Sequence, residues 1–308
     1  MNAALKGILP VLPTPFDDDG GVDEAATKAL VQFAVEAGVS GVVFPGFASE
    51  VETLTSAERT ALLKIVAENA LGHVDVVAGA SAKTPAEVIQ HGKAAAALGI
   101  HYLMIQTPKE IGSDLGPVQA FLSEVAEALP EAQIILQNAP APRGSDLTPD
   151  TIIKLACAIP QIVYVKEETL PAGPAISYIL ENRPASLQGV IGGGGARYIL
   201  DEYARGACAA MPAIEIADLH VALDQAWRDG KRQEARDIYV KTLPLLALQA
   251  VYRMRLTKFT MMQRGILHNS EVRAPTPQVD AVAQADILAN LAELGIVHSP
   301  STAQDAAE

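Results

Sequence analysis

Eight repeats of a short apolar run followed by an amphipathic run predict an α/β chain folded as a (β/α)8 TIM barrel with a C-terminal helical extension. Three observations carry that expectation. The strand-like and helix-like runs alternate along the chain. Eight such units fill about 230 residues, the size of one barrel. The first strand runs into Pro13-Thr14-Pro15-Phe16, with no glycine-rich fingerprint, which argues against a doubly wound open sheet. The expected boundaries are a barrel over residues 1–229, a helical extension packed on it over 230–297, and a frayed polar tail over 298–308.

The strand-like runs are Ile8–Val11, Gly41–Phe44, Val74–Ala78, Tyr102–Ile105, Ile134–Gln137, Ile162–Lys166, Gly189–Ile191 and Ala207–Met211. Between them lie the helical patterns Asp23–Ala37, Ser56–Ala70, Thr84–Leu98, Pro117–Leu129, Thr148–Cys157, Pro174–Glu181 and Tyr198–Arg205, and Ile216–Asp229 follows the last strand. Helix starts are marked by side chains able to take up orphan backbone amides. Thr55 with Glu58 has capping-box spacing. Thr84 and Thr148 each precede a proline, the order expected of an N-cap and first helical residue. Gly38 and Gly99 mark helix exits. In the extension, Lys231–Leu246, Val251–Arg264 and Thr276–Leu294 read as helices, with a kink expected at Pro244.

The formal net charge of −13 and pI near 4.9 oppose binding to a phosphate backbone, so a nucleic-acid partner is not expected. No uninterrupted apolar stretch of about 20 residues predicts a membrane span. The N-terminus lacks the pattern of a signal peptide. Cys157 and Cys208 cannot build a disulfide framework and are expected to be small buried hydrophobes. The expectation is a cytoplasmic protein. His73, His91, His101, His220, His268 and His298 show no metal-ligand spacing, so neither metal nor other cofactor is expected.

In such barrels the chemistry sits at the C-terminal ends of the strands. Lys166 ends an apolar strand in which alternation puts Ile162, Tyr164 and Lys166 on one face. If that face lines the lumen, desolvation lowers the lysine pKa and leaves an amine able to attack a ketone. The alternative is a solvent-facing lysine paired with Glu167 or Glu168.

These residues also resemble a known family. Gly7–Phe16, Gly46-Phe47-Ala48-Ser49-Glu50 followed by Leu54-Thr55 and Glu58-Arg59, and Val163-Tyr164-Val165-Lys166-Glu167 are similar to motifs of the dihydrodipicolinate synthase/N-acetylneuraminate lyase family of Schiff-base barrels. The resemblance spans residues 6–295 and implies that Lys166 forms the imine. It also implies a homotetramer or dimer acting on a small 2-oxo acid. The departures are informative. Two loop hydroxyls are missing at Phe47 and Ala48, and Ser49 replaces a glycine. Gln137 stands where the family has a proton-shuttling tyrosine, and an amide does not titrate. Lys109 and Glu110 replace a second tyrosine pair, and Arg143 lies one residue beyond the usual arginine. Gln137-Asn138-Ala139-Pro140, Ala48-Ser49-Glu50 and Lys166-Glu167-Glu168-Thr169 resemble the L-2-keto-3-deoxyarabonate dehydratase branch.

The expected chemistry is dehydration of a 2-keto-3-deoxy acid through an imine on Lys166. The alternatives are a pyruvate-releasing aldolase and a catalytically silent sugar-acid sensor. With the tyrosine absent, Glu168 is the candidate proton-transfer group, its pKa raised by enclosure. Gln137 and Asn138 are candidates for orienting substrate hydroxyls. Ser49 and the amides around Ala48 are candidates for holding the substrate carboxylate. Gly193 and Gly194 are expected to make room for its tail. Glu50 is expected to be a structural acceptor for loop amides. Lys258 and Arg253 are expected on a solvated or interface face.

Overall fold

The computed structural model describes residues 4–297. Eight strands, β1 (Gly7–Ile8), β2 (Gly41–Phe44), β3 (Asp75–Gly79), β4 (Tyr102–Ile105), β5 (Gln133–Asn138), β6 (Ile162–Glu167), β7 (Gly189–Gly192) and β8 (Ala209–Ala210), form one parallel sheet. From β2 to β8 each strand pairs with its sequence neighbours, and β1 pairs with β8. Val11 bridges both Val43 and Ala213, which brings the end of β1 against β2 and closes the barrel. The strands are buried on both faces, as apolar strands sandwiched between lumen and helices must be.

The intervening helices are α1 (Glu24–Glu36), α2 (Ser56–Ala70), α3 (Pro85–Ala97), α4 (Leu115–Ala128), α5 (Pro149–Ala158), α6 (Ala172–Asn182), α7 (Ile199–Ala204) and α8 (Ala217–Arg228). Most boundaries agree with the sequence reading to within two residues. The physical cause is visible at their starts. Thr55 and Glu58 cap α2 reciprocally, Thr84 and Glu87 do so for α3, and Thr148 accepts from the Thr151 amide at α5.

Three expectations are corrected. The face assignment within β6 holds for Tyr164 and Lys166 but not for Ile162. The register shifts between Ile134 and Ile135, so Ile134 faces Ile162 and Ile135 faces Tyr164. One extra residue on β6 turns Ile162 outward into the helix-facing core, while Val163 and Tyr164 join the lumen. Cys157 is exposed and Cys208 only partly buried, because Cys157 falls outside the buried stripe of α5 formed by Ile152, Leu155 and Ala156. In the extension, α9 (Arg232–Gln263) runs through Pro244, and its non-helical residue is Arg253 at φ 50°, ψ −126°. Helix α10 (Ala281–Glu293) follows. The tail expected to fray, 298–308, lies outside the described residues.

The extension packs on the barrel through Ile216, Leu245, Leu246, Leu256, Phe259, Ile287 and Leu291. It is also tied down by charge. Glu50 adopts a left-handed backbone, φ 58°, ψ 37°, that L side chains rarely take. Its carboxylate meets the Lys258 ammonium at 2.6 Å and accepts the backbone amides of Arg273 and Ala274, each at 2.7 Å. Lys258 also donates to the Glu271 carbonyl and lies 4.1 Å from the centre of the Phe16 ring. It is 1% exposed, so its expected place on a solvated face is wrong. The helix buries it because a partner carboxylate waits on the loop after β2. The structural role expected of Glu50 holds.

Candidate active site

The lower lumen is apolar. Leu5, Leu9, Val43, Val77, Tyr102, Ile135, Tyr164 and Ile191 fill it, and the Tyr164 hydroxyl is tied to the Leu5 amide and to Gln188. Above that plug, toward the strands' C-terminal ends, β5 and β6 present Gln137 and Lys166 as register partners. Lys166 is 4% exposed. Burial pushes its ammonium below the ordinary lysine range, and the Glu168 carboxylate partly opposes that push.

Glu168 lies one residue past the end of β6, where its amide still donates to the Asn138 carbonyl and continues the ladder. That continuation gives it the phase of Lys166. Its Oε1 is 3.5 Å from Lys166 Nζ, and its Oε2 is 3.5 Å from an Arg143 guanidinium nitrogen. Gln137 Nε2 donates to Oε2 at 2.6 Å, and the Gly194 amide donates to Oε1 at 3.4 Å. The expected upward shift of Glu168 is overturned. Burial does push its carboxyl up, but Lys166, then Arg143 and Gln137, outweigh burial and hold it below the usual range. The site therefore holds a carboxylate ion beside its amine.

Gln137 thus orients Glu168. Asn138 points the other way, because neighbouring strand residues face opposite sides. Its amide donates to the Leu147 carbonyl and to Glu167, and its oxygen accepts from the Leu147 amide. It fastens the loop after β5, and both of its amide hydrogens are spent inside the protein. Ser49 is engaged by its own loop and the first strand's end. Its hydroxyl donates to the Leu12 carbonyl and accepts from the Gly46 amide, fully buried, so it closes the turn after β2. Ala48, beside it, is partly buried against the lumen cluster.

Gly192 and Gly193, at the end of β7, make room for protein. A Cβ on Gly193 would overlap the Glu168 side chain at Cγ. A Cβ on Gly192 would overlap Glu202 Oε2. Glu202, in the first turn of α7, was not singled out by the sequence reading. It is 1% exposed, accepts from the Gly193 amide, and its Oε2 has no hydrogen-bond partner. Burial pushes its carboxyl up to about 8, helped by the nearby charges of Glu168, Asp201 and Glu167. Only the acidic pair Asp201-Glu202 on a short helix marked it in the sequence. Nothing there distinguishes it from an ordinary first-turn carboxylate.

A family model described as the dihydrodipicolinate synthetase family matches residues 4–294. The chain belongs to that family. Its members are Schiff-base lyases and aldolases acting on 2-oxo acids. An L-2-keto-3-deoxyarabonate dehydratase from Azospirillum brasilense is 28% identical over 288 residues, covering 92% of this chain and 93% of the relative. A 4-hydroxy-tetrahydrodipicolinate synthase from Methanopyrus kandleri is 31% identical over 248 residues, covering 80% of this chain and 81% of the relative. The dihydrodipicolinate synthase structure from Rhodopseudomonas palustris superposes with a TM-score of 0.87 at 24% identity, over 94% of this chain and 97% of that one. At that identity the superposition speaks for the barrel alone. Among the described residues, no helix is long and apolar enough to cross a membrane.

Proposed function

We propose that this family member is a Schiff-base lyase that dehydrates a 2-keto-3-deoxy sugar acid, with Lys166 as the imine-forming residue. The observation that carries the reading is the pairing of a lumen lysine, depressed by burial, with a carboxylate 3.5 Å away that an amide holds in place.

The steps follow from that geometry. The neutral Lys166 amine adds to the C2 carbonyl, and loss of water gives an iminium cation. The cation acidifies C3. Glu168 takes a C3 proton, and the electron pair moves toward nitrogen to give an enamine. The enamine then expels the 4-hydroxyl, which leaves as water with the proton held by Glu168. Hydrolysis of the remaining imine frees the dehydrated 2-oxo acid and restores Lys166.

A carboxylate held low is ordinarily a weak base, but its pKa is set by the charge beside it. When the iminium becomes a neutral enamine, the strongest attraction holding Glu168 down disappears. Burial then dominates and favours the protonated acid. Proton transfer and loss of the neighbouring charge therefore reinforce each other. Gln137 keeps the receiving oxygen in position without exchanging a proton itself. The oligomer expected of this reading is a homotetramer or dimer, which light scattering would measure.

Borohydride reduction in the presence of substrate or pyruvate should leave a covalent adduct whose peptide mass maps to Lys166. Glu168→Gln should keep that adduct while turnover falls about 10²–10⁴-fold, the usual loss for a general acid–base group. No adduct at Lys166 would refute the Schiff-base reading. Pyruvate as the released product, in place of a dehydrated 2-oxo acid, would move the chain to the aldolases.

A further inference from the structure

Arginines gather at the mouth of the barrel, although the chain as a whole carries a net charge of −13. Three arginines from three separate segments meet there. Arg143 follows β5, Arg197 precedes α7, and Arg253 sits in the break of α9. Phe47, from the loop after β2, gathers two of them. The Arg143 and Arg253 guanidinium carbons lie 4.9 and 5.5 Å from its ring centre. Arg197 is near enough to feel the charges of both Arg253 and Glu168.

The three differ in what they already hold. Arg143 is paired with Glu168. Arg197 is steadied by neutral acceptors, the Gln249 side chain at 3.1 Å and the Leu246 carbonyl at 3.4 Å. Arg253 is exposed and rests against the face of Phe47. Neither Arg197 nor Arg253 forms an ion pair with a carboxylate of the described residues. The buried carboxyl near Arg197, Glu215, accepts from the Thr257 hydroxyl and is pushed up by burial, with Arg197 and Arg264 opposing that push.

The backbone gives a second, independent indication. Arg253 has φ 50°, ψ −126° in the middle of a 32-residue helix, a conformation that favours glycine. An arginine there, breaking the helix beside Phe47, is a strained backbone of the kind that clusters at ligand sites.

We propose that Arg197 and Arg253 form a subsite for a second anionic group, a carboxylate or a phosphate, at the end of the 2-oxo acid remote from Lys166. The inference deepens the proposed function and rests on it only for where the keto end lies. Guanidinium forks match the planar oxygens of a carboxylate and the oxygens of a phosphate. The Phe47 ring supplies the flat support against which the Arg143 and Arg253 guanidinium groups rest.

The test is calorimetry on the full-length protein with three probes: 2-oxoadipate, 2-oxohexanoate and 2-oxo-5-phosphonopentanoate. An acid with a second anionic end should bind roughly 10- to 100-fold more tightly than 2-oxohexanoate, the range set by one charge-assisted hydrogen bond. Arg253→Gln should reduce that preference to about threefold or less, and Arg197→Gln provides a second variant should the first fail to fold. Tighter binding of the phosphonate or of the dicarboxylate identifies which anion the subsite takes. Equal affinity for all three probes, or a preference unchanged in both variants, would overturn the subsite. Borohydride adduct mass is read on the same samples. A preference without an adduct at Lys166 would support the subsite and refute the Schiff-base chemistry.

Discussion

Replacing Glu202 with glutamine should make the protein more stable, by an amount that grows with pH. The wild-type carboxyl is 1% exposed, feels the charges of Glu168, Asp201 and Glu167, and leaves Oε2 without a partner. Burial pushes it from 4.5 up to about 8. Between those values the folded chain holds a proton that the unfolded chain releases. The native state then binds more protons, so stability falls as pH rises through this window. Each pH unit corresponds to about 1.4 kcal/mol. The proton needed at Glu202 therefore withholds about 3 kcal/mol of stability at pH 7 and up to about 5 kcal/mol above pH 8. Glutamine is neutral throughout and keeps an oxygen for the Gly193 amide. Its NH2 group replaces the acid O–H as the unpartnered donor, so those costs nearly cancel. Urea unfolding at pH 5, 6, 7 and 8 checks the reasoning. The variant and wild type should agree near pH 5 and diverge by about 1.4 kcal/mol per pH unit up to pH 8. A difference that does not change with pH would refute it, since a fixed offset measures packing and not a proton.

Lys258→Met should destabilise the fold by about 3–5 kcal/mol, because it leaves the Glu50 carboxylate buried without its cation. Chemical denaturation measures this, and a loss under about 1 kcal/mol would mean the Arg273 and Ala274 amides suffice for Glu50. Gly193→Ala should lower turnover at least about tenfold, roughly 1.4 kcal/mol of transition-state stabilisation, because the added Cβ displaces Glu168 from Lys166. Stopped-assay kinetics with borohydride trapping would show the adduct retained and kcat reduced; unchanged kcat would show that Glu168 can move without consequence.

Much of this molecule is legible in its sequence. The alternation of apolar runs located the strands and their helices, because strand and helix periodicities are local properties of the chain. The caps at Thr55, Thr84 and Thr148 were readable for the same reason, since each acts within three residues. Lys166 stood out because an ammonium that closes an apolar strand costs free energy to bury. Glu168 could be placed beside it by counting.

What the tertiary structure decided was every relation between distant segments. A one-residue bulge between β5 and β6 turned Ile162 out of the lumen, and pairing partners are invisible in one strand's pattern. Ser49 and Asn138 looked free for substrate, yet Leu12, Gly46, Leu147 and Glu167 had already claimed them. Glu168 ended below its ordinary pKa, opposite to expectation. Burial raises it, but Lys166 is joined by Arg143 and Gln137, which arrive from β5 and its loop. Lys258 found its carboxylate 208 positions away. Glu202 became a neutral acid through burial among other carboxylates. By itself, then, the sequence determined the barrel, which rests on local periodicity, and marked Lys166 as a candidate at a strand end; its burial in the lumen came from the fold. The charge state of the site depends on which groups share a small, poorly solvated volume, and only the folded chain decides that.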